Sequence, residues 1–222
     1  MKPLSTRTAD ETTLQDLGKA SIQIVHDLKN QLNGLKLYAT FLRKRIEKSE
    51  RPDDEQQTIA KLITGLDRAA NDLSTIVQYG REIELKKQSG FDIQKVLRSI
   101  CAQLNDGEPP VVCEGDGDPL FGEFDPTRLA DAFSWISTVA LKHRQNGDTP
   151  GVVTVTVKRD ETQANQAKIE WFGLAPIEHD PFKSFAGSDE IRMSLAAKII
   201  EAHGGSAAYR DQRLVVTIPL ME

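Results

Sequence analysis

The chain has 222 residues, of which 39% are apolar, so it is long enough to bury the core of one large domain or two small ones. Its 28 basic and 33 acidic residues are spread along the sequence with a net charge of −5, which excludes the basic face that a nucleic-acid backbone requires. The first residues lack the apolar core of a signal peptide, and no stretch reaches the ~18 apolar residues of a membrane span, so we expect a soluble, cytoplasmic protein.

Two long helices are predicted first. The earlier one runs from about Asp10 to Lys48, because its apolar positions recur at intervals of three and four residues: Ser21, Val25, Leu28, Leu32, Leu35, Ala39, Leu42 and Ile46. A break at "SERPDD" follows, where Pro52 suits a first helical turn. The second helix is predicted from about Asp53 to Lys87, so the pair should fold back as an antiparallel hairpin.

Further apolar residues lie off this stripe on the first helix. They are Ile22, Ile24, Leu37, Tyr38 and Phe41. One partner helix cannot cover so much apolar surface, whereas a four-helix bundle of two chains can. We therefore predict a homodimer.

Short helices and strands are predicted after "KKQSGFD". The helical segments are "IQKVLRSICAQL", "DPTRLADAFSWISTVALKH" with Asp125 as N-cap and Pro126 at its first position, and "SDEIRMSLAAKIIEAHGG". The strand segments are "PPVVCEG", "GVVTVTVKRD", "QAKIEWFGL" and a final pair in "SAAYRDQRLVVTIPL". Helices that cover one face of a mixed sheet form an α/β sandwich. We predict a helical domain over residues 10–88 and a sandwich domain over residues 89–222.

The two cysteines, Cys101 and Cys113, show neither the spacing of metal ligands nor a disulfide framework. We interpret them as buried or idle thiols in a reducing compartment.

The two halves, in this order, resemble the core of a two-component sensor histidine kinase over about residues 14 to 220. The strongest local element is "HDLKN", which is similar to the family's phosphoacceptor box, although Gln31 stands in place of the usual proline. "DPTRLADAF" and "ALKH" resemble the helix of the family's N box, and "SLAAKIIEAHGG" resembles the helix after its second glycine box. The resemblance implies an α+β fold, in which a hairpin forms a four-helix bundle in a dimer and precedes a Bergerat-type, ATPase-like sandwich.

The nucleotide-binding residues of that family are replaced at the aligned positions. Val139 occupies the position of the magnesium-binding asparagine, and Trp171 occupies that of the aspartate that recognises adenine. Ala175 replaces a later glycine of the same box. Glu190 and Arg192 replace two glycines that let the backbone approach the phosphates. The segment "IEHDPFKSFAGSD" is also short for an ATP lid. We therefore expect a degenerate domain that binds no nucleotide.

His26 is the phosphosite that the resemblance implies. A neutral imidazole is a competent phosphoryl acceptor, and Asp27 is placed to fix its tautomer. Asn30 lies one turn along the same face, where its amide can orient a phosphoryl group or a water. A histidine beside an aspartate on a helix is also often only a solvated surface residue.

The function implied is that of a histidine phosphotransferase of the pseudo-kinase type. Phosphoryl groups would pass between the aspartates of response-regulator receiver domains and His26. The receiver would supply magnesium, so no cofactor is expected on this chain, and it would contact Asp27, Lys29, Asn30 and Asn33. Two alternatives stay open: a divergent ATP-dependent histidine kinase, and a regulator that sequesters a receiver without covalent chemistry.

Other aromatic and histidine residues have simpler explanations. Trp135, Trp171 and Phe172 are expected to fill the core. His143 and His203 are expected at helix C-termini, where a positive charge interacts favourably with the helix dipole.

Overall fold

The hairpin and the sandwich are both present in the computed structural model, which describes residues 9–46, 53–105, 111–115, 117–145, 151–163, 165–185 and 187–221. The chain divides between Glu82 and Ile83 into two compact units. Pro52, expected at the start of the second helix, lies outside the described residues. Within them, no helix is both long and apolar enough to cross a membrane.

The first unit is a pair of packed helices, α1 (Ala9–Ile46) and α2 (Asp53–Gly80). Helix α1 continues without a break through Gln31, because that residue keeps the backbone N–H that a proline lacks. Ala39 of α1 and the Ala70 and Val77 side chains of α2 are buried, which is what the three-and-four spacing predicts for a shared seam.

Helix α2 ends at Gly80, seven residues before the predicted end at Lys87. The chain after Gly80 is extended, as the burial of the next residues shows. Ile83 and Leu85 are half-buried while their neighbours are exposed, which is the period of an extended chain and not of a helix.

The second unit contains a five-stranded sheet in the order β2-β4-β5-β7-β6 and a separate two-stranded sheet of β1 and β3. Only β2 and β4 are parallel in the larger sheet, and the other neighbours are antiparallel. The strands are β1 (Gln88–Asp92), β2 (Val111–Gly115), β3 (Phe121–Phe124), β4 (Val153–Arg159), β5 (Gln166–Phe172), β6 (Ser206–Arg210) and β7 (Arg213–Pro219).

Three helices pack in this unit, and their buried faces form its core with alternate residues of the strands: α3 (Ile93–Leu104), α4 (Pro126–Lys142) and α5 (Ser188–Ala202). A short 3-10 turn spans Pro181–Lys183. Asp125 caps α4 as predicted, with its carboxylate accepting a hydrogen bond from the backbone N–H of Arg128 at 3.0 Å. The predicted α+β fold is confirmed.

Candidate functional site

His26 lies on the surface of α1, where its ring is contacted by side chains of the same helix. Its Nδ1 is 3.7 Å from Oδ1 of Asp27 and 3.4 Å from Nδ2 of Asn30. The side chains of His26 and Asp27 are 49% and 61% exposed. Gln23, one turn earlier, donates a hydrogen bond from Nε2 to Oδ1 of Asp27 at 3.1 Å, so it holds the carboxylate near the ring.

Both of these contacts are made to the same ring nitrogen. As placed, the Asn30 amide directs its Nδ2 donor at Nδ1, whereas the Asp27 carboxylate is placed to face a proton on that same nitrogen, so the two contacts favour opposite tautomers. Among the described residues, none forms a hydrogen bond with Nε2. Asp27 favours the tautomer with the proton on Nδ1, in which Nε2 keeps its lone pair.

The other two residues expected at this site share its neighbourhood on α1. Asn33 is exposed, and Lys29 is half-buried. At 100° per residue, both lie within about 60° of His26 around the helix axis. The helix therefore brings together His26, Asp27 and Asn30 by direct contact, and it places Lys29 and Asn33 beside them.

Trp171 stands at the position that the resemblance assigns to the adenine-recognising aspartate. It is fully buried on β5, and its Nε1 donates a hydrogen bond to Oγ of Ser137 on α4 at 2.9 Å. The ring centroid of Phe133 is 6.2 Å from that of the indole. Trp171 is thus a core residue, as expected, and it presents no carboxylate to a ligand.

A cavity of about 300 Å³ remains beside α4 and α5. Val139, Ile177 and Met193 contribute apolar walls. The polar lining includes Glu178, Asp189 and Glu190 together with His143 and His179. The amino group of Lys142 on α4 is bound by Asp189 at 2.5 Å. Lys142 offsets the charge of Asp189, but the carboxylates of Glu178 and Glu190 oppose the binding of a polyphosphate, which carries the same sign of charge.

The segment that corresponds to an ATP lid is held against α5. The hydroxyl oxygen of Ser194 lies 3.1 Å from the carbonyl oxygen of Phe182 and 2.9 Å from that of Ser184. Phe182 is buried, and the backbone N–H of Ile177 donates to the hydroxyl of Tyr209 at 2.9 Å. The segment is therefore part of the packed domain around the cavity.

The sequence did not predict that residues of this segment line a cavity. Glu178 and His179 come from the segment, and they face Val139 and His143 from the end of α4. The loss of the phosphate-approach glycines was the available signal, because Glu190, which stands at one of those positions, lines the same cavity. Sequence spacing alone does not show that a helix end and a distant loop meet.

Comparison with solved structures places this architecture among histidine kinases. The crystal structure of full-length ShkA in complex with AMPPNP is similar with a TM-score of 0.69 and 16% identity, over 89% of this chain and 45% of that one. The histidine kinase AdeS of Acinetobacter baumannii is similar with a TM-score of 0.56 and 19% identity, over 88% of this chain and 96% of that one. No protein-family model and no curated protein matches the sequence.

These similarities establish the fold, because both identities are below 20%. The chain spans less than half the length of ShkA. A helical hairpin followed by an α/β domain of the histidine-kinase type is what the chain shares with these proteins.

Proposed function

We propose that the protein is a phosphohistidine carrier of a two-component phosphorelay, in which His26 exchanges phosphoryl groups with receiver aspartates and no ATP is bound. The observation that carries this proposal is a contrast between two sites. The imidazole of His26 is about half exposed, whereas Trp171, which stands at the position of the family's adenine-recognising aspartate, is buried and has no carboxylate.

The reaction needs few groups from this chain. The lone pair of Nε2 attacks the phosphorus of an aspartyl phosphate, the N–P bond forms, and the P–O bond to the receiver breaks with its electron pair leaving on the carboxylate. The proton stays on Nδ1, where the charge that develops on the ring faces Asp27 at 3.7 Å. Return of the phosphoryl group to a second receiver reverses these steps.

The surface around His26 includes exposed apolar residues. Helical geometry places Leu37 and Phe41 within about 60° of His26 around the axis of α1, along with Asn30 and Asn33. Leu37 and Phe41 are exposed although both are apolar. We assign this face, with Lys29 at its border, to the receiver, because exposed apolar groups beside a reactive residue are typical of a docking site.

A second apolar face of α1 is assigned to a second copy of the chain. Its members lie within about 40° of a common line on the helix. They are Ile24, Leu28, Leu35, Tyr38 and Leu42, and all are exposed. This face is centred roughly 160° from His26, so a four-helix bundle formed through it leaves the imidazole accessible.

The test is phosphoryl transfer to the purified full-length chain. Radiolabelled ATP with magnesium should leave the chain unlabelled, whereas a phosphorylated receiver domain should transfer acid-labile label to it. His26→Ala should abolish this label. His179→Ala is the matched control, because His179 is also exposed but lies in the second unit, and it should be labelled like the original protein.

Two outcomes would replace the proposal. Label from ATP alone would identify a divergent kinase. The similarity in fold to ShkA supports this alternative. A pathway that runs equally well with His26→Ala would identify a regulator that binds its receiver without covalent chemistry.

A further inference from the structure

The cysteines, expected to be idle, are brought together by the fold. Cys101 is buried on α3, and Cys113 is half-buried on β2. A side chain at Gly115, two residues after Cys113, would meet Gln94 and Arg98 of α3, and Cys101 lies one helical turn beyond Arg98, so the two cysteines belong to the same contact between α3 and β2. Cys113 faces the same side of β2 as the buried Val111, two residues earlier, which is the side on which α3 packs. The contact thus follows from the strand register.

The surrounding backbone fixes this contact at one end. Asn105, which ends α3, donates from Nδ2 to the carbonyl oxygen of Val111 at 3.0 Å and accepts from the Val111 N–H at 3.1 Å. This pair of hydrogen bonds joins the end of the helix to the start of β2. Asn105 lies four residues after Cys101, and Val111 lies two residues before Cys113. The hydrogen bonds between them therefore limit the separation of the two thiols.

The electrostatic environment distinguishes the two sulfurs. Interaction with the Cys101 thiol lowers the pKa of the Cys113 thiol, and the nearby Arg98 guanidinium lowers it further, against the opposing effects of burial and of Glu114. The same interaction, together with burial, raises the pKa of Cys101. Cys113 is therefore the better nucleophile, and the less exposed Cys101 is placed to react second.

We propose that Cys113 and Cys101 form a peroxide-sensitive dithiol, in which Cys113 is oxidised first and Cys101 then closes an intramolecular disulfide. The Cys113 thiolate attacks one oxygen of hydrogen peroxide, the O–O bond breaks, and hydroxide leaves, which gives a sulfenic acid. The Cys101 sulfur then attacks the Cys113 sulfur, the S–O bond breaks, and water leaves with the Cys101 proton. Two electrons pass from the two sulfurs to one peroxide.

This inference is independent of the proposed phosphoryl transfer, because both cysteines and Arg98 belong to the second unit. The experiment treats the reduced full-length protein with hydrogen peroxide and follows intact mass and the cysteine-containing peptides. The expected product has lost two hydrogen atoms and yields one peptide that links Cys101 to Cys113. A thiol reductant should restore the original mass.

Variants separate the roles of the two cysteines. Cys113→Ser should lower the rate of peroxide consumption by at least about tenfold, since the remaining thiol is buried. Cys101→Ser should instead accumulate sulfenic acid on Cys113, detected with a dimedone probe, and Cys101→Ala should do the same. Absence of the linked peptide, a disulfide only between chains, or equal rates for Cys113→Ser and the original protein would each overturn the proposal.

Discussion

His203 shows how burial decides the role of a single residue. It lies at the end of α5, where its Nδ1 is 2.8 Å from the carbonyl oxygen of Ile199 and its Nε2 accepts the backbone N–H of Asp125 at 3.0 Å. The neutral ring uses both nitrogens in hydrogen bonds, because Nε2 can accept the N–H of Asp125 only while it is unprotonated. Burial lowers the pKa of His203, and Lys87 adds to this effect. The expected charge–dipole role was wrong, because the ring is enclosed and links α5 to the start of α4.

This lowered pKa makes the stability of the protein depend on pH. The unfolded chain, in which a histidine titrates near ~6.5, binds a proton more readily than the folded one. The stabilising contribution of His203 is complete above that pH and is lost as the pH falls towards the lower folded pKa. Urea unfolding between about pH 8 and about pH 5 should show this loss. His203→Gln should be less stable at all pH values but should lose less on acidification. The same slope in both proteins would contradict the assignment, and His179→Gln is the exposed control.

Trp171 supports a second prediction for a single residue. Trp171→Phe removes the indole N–H that bonds Ser137 and leaves that buried hydroxyl without this donor, at a cost of about 1–3 kcal/mol in the free energy of unfolding. Trp135→Phe is the matched control and should cost less, since Trp135 is only half-buried. Urea denaturation followed by circular dichroism measures both. Equal costs would show that the hydrogen bond contributes little.

Individual elements were predictable where their signals are local. The start of α4 follows from Asp125, and the end of α5 follows from Gly204, whose φ of 82° is readily adopted only by glycine. The contacts of His26 with Asp27 and Asn30 arise from helical spacing alone. Strands β1 and β3 were not predicted, because each is four or five residues long and Gly90 or Gly122 interrupts its alternation. The meeting of the two cysteines depends on packing between α3 and β2, which sequence order does not specify.

The two faces of α1 lead to a prediction at the scale of this element. Leu35 and Leu37 are both 54% exposed, but Leu35 belongs to the face assigned to the second chain and Leu37 to the face beside His26. Leu35→Asp should therefore convert a dimer to a monomer in analytical ultracentrifugation, because it places a charge in an apolar interface. Leu37→Asp should stay dimeric and should instead slow transfer from the receiver. An unchanged dimer with Leu35→Asp would refute the interface, and a monomeric original protein would refute the bundle.

For the whole molecule, the fold resembles that of a kinase crystallised with a nucleotide analogue, whereas the lining of the cavity is unfavourable for a nucleotide. The chain shares its architecture with ShkA, which was crystallised with AMPPNP, yet its own cavity is bordered by Glu178, Asp189 and Glu190. A ligand at a hundred times its Kd stabilises a folded protein by about 2.7 kcal/mol, which a thermal-shift assay detects readily. We expect no shift of Tm with ATP and magnesium. A clear rise would show that the cavity accepts a nucleotide despite its acidic wall.

The uninterrupted course of α1 through Gln31 has a consequence for control of the proposed relay. Helices bend sharply at prolines, glycine or serine pairs and inserted groups, and none of these disturbs the turn that follows His26. For the proposed acceptor His26, this described part of α1 thus offers no bend that a stimulus could use as a hinge. The net direction of phosphoryl transfer would then be set by mass action, through the concentrations of phosphorylated donor receivers and unphosphorylated acceptor receivers.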